Sequence, residues 1–120
     1  MKTYRDILVW QKSMAMVTKC YVITRQFPKE ELFALSSQIK RCAVSIPSNI
    51  AEGYGRGTNK DYYRFLNISL GSLFELQTQI EIGYNLGFIN QEDFNAIYQD
   101  SREIERMLSS FMAKIKTTIT

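Results

Sequence analysis

Histidine is absent from this 120-residue chain, and with it go the usual general base at neutral pH, the Ser-His nucleophile pairing and the commonest metal ligand. The acids offer no substitute. A dimetal carboxylate bundle needs inward Glu-x-x-His pairs, whereas Glu75, Glu81, Glu103 and Glu105 fall mainly off the apolar seams with no His beside them. No catalytic residue, metal or cofactor is expected. Cysteine is scarce: Cys20 and Cys42 occupy apolar positions of separate predicted helices, and a lone pair without close spacing makes neither a disulfide framework nor a metal motif. Both read as reduced core thiols. Long apolar runs are missing as well, none approaching the ~18 residues of a membrane span. The opening Met-Lys-Thr-Tyr-Arg-Asp has no signal-peptide core, so a cytoplasmic address without membrane contact is the expectation.

What is present is helical periodicity. Apolar residues make up 45% and charged residues 22% of the chain, ordinary values for one globular domain spanning residues 1–120. In the first helix Ile7, Trp10, Met14, Val17 and Tyr21 recur at alternating steps of three and four, a heptad seam. Phe27-Pro28-Lys29 breaks it. Leu32, Leu35, Ile39, Cys42 and Ile46 repeat the pattern in a second helix. Helix three, from about Asn59 to Leu86, has the seam Tyr62, Leu66, Leu73, Leu76 and Ile80, interrupted by Ser69. Asn90 and Asp93 offer a cap for helix four, where Phe94, Ile97, Ser101, Ile104, Leu108, Phe111 and Ile115 keep a period near 3.5. Four such helices joined by short loops pack most simply as an all-α, up-down-up-down, left-handed four-helix bundle.

One stretch departs from periodicity. Pro47 lies inside the helix-two pattern, so a kink is expected there, with Asn49 and Glu52 placed to satisfy freed backbone groups. Gly53, Gly55 and Gly57 then end the helix, and Thr58 three residues before Asp61 has the form of a capping box. The glycines do not form a phosphate loop, for neither a βαβ setting nor a following Gly-Lys-Ser/Thr is present.

Helix three carries more apolar surface than one core can cover. Tyr63, Phe65, Ile68, Leu70 and Phe74 lie outside its seam, and a helix apolar nearly all round is buried on more than one side. A subunit contact is the expected use, with Gly71 and Ser72 allowing another backbone to approach.

Net charge is +3, unevenly spread: residues 1–60 hold ten Lys/Arg against four Asp/Glu, and residues 61–120 hold five against eight. Arg5, Lys12 and Lys19, seven apart, form a basic stripe opposite the first seam, and Lys40 and Arg41 lie on the outer side of helix two. A solvated face explains such a stripe as well as a binding ridge does. Tyr54, Arg56, Lys60, Tyr63 and Arg64 gather at the turn between helices two and three. Charge for phosphates and rings for stacking suit a nucleic acid there, and they suit a protein interface equally.

Three stretches, Tyr4-Arg-Asp-Ile-Leu-Val-Trp-Gln-Lys12, Ser45-Ile-Pro-Ser-Asn-Ile-Ala-Glu-Gly-Tyr-Gly-Arg56 and Gly71-Ser-Leu-Phe-Glu-Leu76, resemble the signatures of the four-helix-bundle proteins encoded in intervening sequences of bacterial 23S ribosomal RNA genes. The similarity covers about residues 4–115. It implies a homopentameric barrel of bundles without known enzymatic activity. A related branch, the accessory variability determinant of diversity-generating retroelements, binds nucleic acid and works with a reverse transcriptase. By that analogy the expected partners are further copies of the chain, RNA or DNA, and a reverse transcriptase or other protein. Five copies of this chain would carry about +15, enough for weak contacts to add through avidity. The leading expectation is a homo-oligomer that binds structured RNA or DNA through Arg5, Lys12, Lys19, Lys40, Arg41, Arg56, Lys60 and Arg64; the rival is a scaffold that docks a protein.

Overall fold

A computed structural model describes residues 2–119. A 3-10 turn at Tyr4–Asp6 leads into four helices: α1 Leu8–Thr24, α2 Leu35–Tyr54, α3 Asn59–Asn85 and α4 Gln91–Lys116, with a second 3-10 turn at Lys29–Glu31. Each helix packs on its chain neighbours and α1 closes against α4, while diagonal pairs do not meet among the described residues. Side-chain bridges fix the directions. Lys12 pairs with Glu103 and Lys19 with Asp100, Ser45 with Ser72 and Cys42 with Gln79, and the Tyr62 ring meets Phe111 while Tyr84 meets Phe94. Rising numbers on one helix meet falling numbers on the next, so the bundle runs up-down-up-down.

The helix ends follow from local chemistry. Thr58 Oγ1 accepts from the Asp61 amide at 3.2 Å and Asn90 Oδ1 from the Asp93 amide at 2.7 Å, each satisfying a donor that the first turn leaves without a partner. A full capping box lies where the sequence reading did not place one: Thr3 Oγ1 accepts from Arg5 N, and the Asp6 carboxylate accepts from the amides of Lys2 and Thr3. Those two amides hold the Asp6 carboxyl below its usual range. Gly57 (φ +84) and Gly87 (φ +80) take the left-handed conformation after α2 and α3.

The core is a stack of short layers. α2 contributes Ile39, Cys42, Ala43, Ile46 and Ile50; α3 Leu66, Leu73, Leu76 and Ile80; α4 Ile97, Ile104, Leu108, Met112 and Ile115. Ser13, Ser69 and Ser101 share it, each donating its hydroxyl to a backbone carbonyl (Val9, Ile46 and Tyr98) at 2.7–2.8 Å, so none is an unpaired polar group. Cys20 and Cys42 are buried free thiols, and burial pushes both up to about 12.

Several expectations need correction. The buried stripe of α1 is Val9, Ser13, Met16, Cys20 and Ile23, whereas Met14 and Tyr21 are exposed and Trp10 and Val17 half-buried. Both stripes step by three and four; the larger side chains drew the reading to the wrong one, and small Ser13 and Cys20 mark the face that comes close to its neighbours. Leu32 is exposed and precedes α2. Gly53 and Gly55 do not end that helix by positive φ: Gly53 is buried within it, and Gly55 keeps φ −81. Ser72 faces α2 within the same protomer, 2.9 Å from Ser45 Oγ, and Phe65 is buried rather than surplus.

α2 continues through Pro47, which is itself buried. Asn49 Nδ2 donates to Ser45 O at 2.8 Å and to Ser45 Oγ at 2.9 Å, and Ser69 donates across to Ile46 O. These bonds tie the proline-containing turn to α3. Glu52 turns away to Arg56 instead.

Gly53 is the tightest point of that contact. A methyl group there would sit 2.8 Å from Phe65 Cβ and 3.0 Å from a Tyr62 ring carbon, while at Gly55 the nearest atom is a carbonyl oxygen 3.6 Å away. Gly53→Ala should therefore lower stability by about 1–2 kcal/mol despite its gain in helix propensity. Gly55→Ala should be neutral or mildly stabilising. Urea midpoints at one fixed protomer concentration check both, and equal midpoints would deny the close approach.

Candidate nucleic-acid interface and assembly surfaces

The basic residues do not form the stripe that their spacing suggests. Lys12 pairs with Glu103, and Lys19 Nζ lies 2.6 Å from Asp100 Oδ2, so this row closes the α1–α4 seam. Arg5 stacks near Trp10 (5.7 Å to the ring centroid) and Lys40 near Tyr21 (5.4 Å). Arg41 is exposed, on the groove between α2 and α3 that Glu75 also lines.

Charge separates along the bundle axis instead. The turn between α2 and α3 brings Arg56, Lys60 and Arg64 to one end, and Asn59 Nδ2 donates to Thr118 Oγ1 at 2.7 Å, drawing the end of α4 with Lys114 and Lys116 beside them. Lys2 and Arg5 enter at the same end, where Asp6, Glu52 and Asp61 are the acidic side chains among the described residues. The opposite end carries Arg25 and Lys29 against Glu30, Glu31, Glu81, Glu92 and Asp93. The molecule is 47 Å long and about half as wide, so the poles are several screening lengths apart at physiological salt.

Helix dipoles explain part of this arrangement. Glu92 and Asp93 in the first turn of α4, and Lys114 and Lys116 in its last, offset the macrodipole. Lys60 does not: it occupies the first turn of α3, where acids are favoured, against the local electrostatic preference. Arg64 follows in the second turn, its Nε 3.9 Å from Asp61.

The aromatic residues of this pole are structural. Tyr54 and Tyr62 meet edge-on at 6.3 Å, Tyr62 and Phe111 at 5.4 Å, and Tyr63 packs half-buried against the core. Burial raises the Tyr62 phenol to about 12, and its hydroxyl oxygen is enclosed without a hydrogen-bond partner. Tyr54 and Tyr63 are therefore not open stacking platforms. Phe65 lies under two guanidiniums, Arg56 at 4.8 Å and Arg64 at 4.9 Å from its ring centroid.

Several large apolar side chains are exposed, and two of the surfaces they form bear on assembly. On α3, Ile68 (43% exposed) and Phe74 (45%) flank Gly71, at which an added methyl group would meet nothing within 4 Å; Leu70 and Tyr63 are half-buried. The second surface was missed from sequence. Tyr4, Trp10, Met14 and Val17 face Val44, Pro47 and Ala51 across a groove of about 350 Å³ between α1 and α2. Trp10, Met14 and Val17, three of the residues assigned to the α1 seam, make its wall, while Ile7 is buried in the core.

The model of the 23S rRNA-intervening sequence protein family matches residues 5–110. The chain belongs to that family. A crystal structure of a protein of unknown function from the S23 ribosomal protein family of Bacteroides thetaiotaomicron superposes with a TM-score of 0.82 at 27% identity, covering 88% of this chain and 98% of that one. No curated protein matches. The family match takes in every basic and apolar candidate residue above except Lys2, Tyr4, Lys114 and Lys116.

Two features bear on chemistry in this family member. Glu52 is exposed and paired with Arg56 at 3.0 Å, and no group of three or more Cys, Asp or Glu among the described residues is arranged to hold a metal ion. No described helix is long and apolar enough to cross a membrane.

The α1–α4 seam gives a pH signature. Lys12, by hydrogen bond and then by charge, holds the Glu103 carboxyl below its ordinary range. A depressed folded-state carboxylate contributes stability above its unfolded pKa and loses it as pH falls through the folded value. Lys12→Met should return Glu103 to the usual carboxylate range and flatten that acid-side loss. Carboxyl NMR titration reads this directly; an unmoved Glu103 would break the assigned pairing.

Proposed function

We propose that the chain is a non-enzymatic homo-oligomer that binds structured RNA or DNA by neutralising backbone phosphates with its basic pole. The observation that carries this is the gathering of Arg56, Lys60 and Arg64 at one end of the bundle close to Lys114 and Lys116, with Lys60 in the first turn of α3. Like charges brought together, one of them at a helix N-terminus, cost stability, so an anionic partner is the simplest reason for them. The α1 stripe named from sequence is reassigned, since Lys12 and Lys19 already have acids opposite. Binding should be insensitive to base sequence, because nothing at this pole resembles a base-reading element in a groove.

Self-association rests on the two unlike apolar surfaces. An exposed helix face on α3 and an open groove on α1 and α2 suit a head-to-tail contact, which closes into a ring when the rotation allows. The resemblance supplies five as the copy number. The rival, a scaffold docking a different protein, draws on the same surfaces, and a complex that survives nuclease and high salt would favour it.

Two measurements test these statements. Affinity for an RNA hairpin should fall steeply from 50 to 200 mM salt, and Lys60→Ala should weaken it and reduce the log–log slope by about 1, with Lys29→Ala as an inert control. Salt-independent or absent binding removes the nucleic-acid reading. For assembly, Met14→Glu and Phe74→Glu should each dissociate the oligomer in sedimentation. Mixing the two variants should restore a dimer, because one intact groove then meets one intact α3 face. No recovery on mixing would contradict a head-to-tail contact.

A further inference from the structure

Arg56 and Arg64 are set apart from the other bases of the pole by what holds them. Gly53 lets α3 approach α2 so closely that even a methyl group would clash with Phe65 Cβ, which fixes the ring at the end of the core. Both guanidiniums then rest within 5 Å of that ring's centroid, so their carbons lie within about 10 Å of each other. Each is steadied by a nearby acid: Arg56, in the turn after α2, donates Nη2 to Glu52 at 3.0 Å, and Arg64 Nε sits 3.9 Å from Asp61. A guanidinium lying on a ring uses its face for that contact and keeps its N–H edge available. Apart from the single bond to Glu52, the side-chain donors of this pair have no protein acceptor among the described residues.

Two cations on one ring, their carbons no more than about 10 Å apart and most of their planar N–H forks unused, match an oxyanion group with several acceptor oxygens. We propose that Arg56 and Arg64, seated on Phe65, form a paired clamp for backbone phosphate oxygens of the bound nucleic acid. The clamp rests on the reading of the pole as a nucleic-acid interface, and it adds that geometry as well as charge is recognised there. Lys60 and the lysines of α4 supply charge without a fork. The clamp supplies the orientation, since forked contacts fix the angle at which the strand crosses the pole.

The test separates the clamp from the wider reading. In the first arm, ¹⁵N spectra of the full chain follow the arginine Nε–Hε signals during titration with inorganic pyrophosphate. Arg56 and Arg64 should shift together and saturably while Arg102 does not, and Phe65→Leu should abolish the shared response. In the second arm, a hairpin RNA binds the wild type, Arg56→Lys and Arg64→Lys, with thermal melts confirming that each variant folds. Lysine keeps the charge, so the slope of affinity against salt should hold while affinity falls at least about five-fold. Equal binding by the lysine variants overturns the clamp and leaves the basic pole intact. Saturable pyrophosphate shifts without any RNA binding support the clamp and sink the nucleic-acid reading. Weak shifts shared by every arginine overturn the clamp whatever the RNA does.

Discussion

The close approach of α2 to α3 is the constraint on which the remaining structure depends. It is made by small residues in series: Ser45 against Ser72, Ile46 O against Ser69, and Gly53 against Phe65. Each is a point where a larger side chain would force the helices apart. Together they fix the register, because a slip of one turn would strand Ser69 and Ser45 in the interface without acceptors. Register then fixes the pole. With Gly53 opposite Phe65, the turn that follows must place Arg56, Lys60 and Arg64 within a few residues of that ring, and the candidate site follows from a packing decision made inside the bundle.

The same contact accounts for Pro47. A proline in a helix interior removes a donor and costs about 3 kcal/mol in isolation, yet α2 passes through it and buries it. The carbonyl that loses its helical donor is that of Ala43, four residues back; Asn49 and Ser69 bond instead to Ser45 O and Ile46 O, the carbonyls just before the proline. The proline is tolerated because burial and these bonds, one of them from α3, hold the turn in place. Local and tertiary preferences here oppose each other, and tertiary packing wins.

Helix identity, the order of the elements and the seams of α3 and α4 were legible because the residues that are buried there, Leu66, Leu73, Leu76 and Ile80 on α3 and Ile97, Ile104, Leu108 and Ile115 on α4, are large and keep helical spacing without a break in period. On α1 two stripes shared one period, and hydropathy favoured the one with Trp10, Met14 and Val17 over the one with Ser13 and Cys20. In the folded state the stripe that includes small Ser13 and Cys20 faces the core together with Met16 and Ile23, and Trp10, Met14 and Val17 wall an outer groove. Helical spacing reports that a face is apolar without saying what lies against it. The same limit applies to charge. Lys12 and Lys19 read as a solvated row because their acids, Glu103 and Asp100, lie more than eighty residues away in the chain, whereas Arg56, Lys60 and Arg64 were grouped correctly because one short turn brings them together.

The basic pole and the apolar surfaces occupy different parts of the bundle. The α1–α2 groove and the exposed α3 face both run along its flanks, so a ring built from them would have to leave the bundle ends uncovered. Copies related by an axis close to the bundle direction would then gather their basic ends on one side and their acidic ends on the other. Under the proposed function each pole would contribute only a few phosphate contacts, too few for tight binding at physiological salt, whereas several held rigidly on one side would bind with an effective concentration set by the ring. Assembly through the flanks and binding through the ends would thus be separable in space and coupled in free energy, with copies of the chain supplying the charge that a single one lacks.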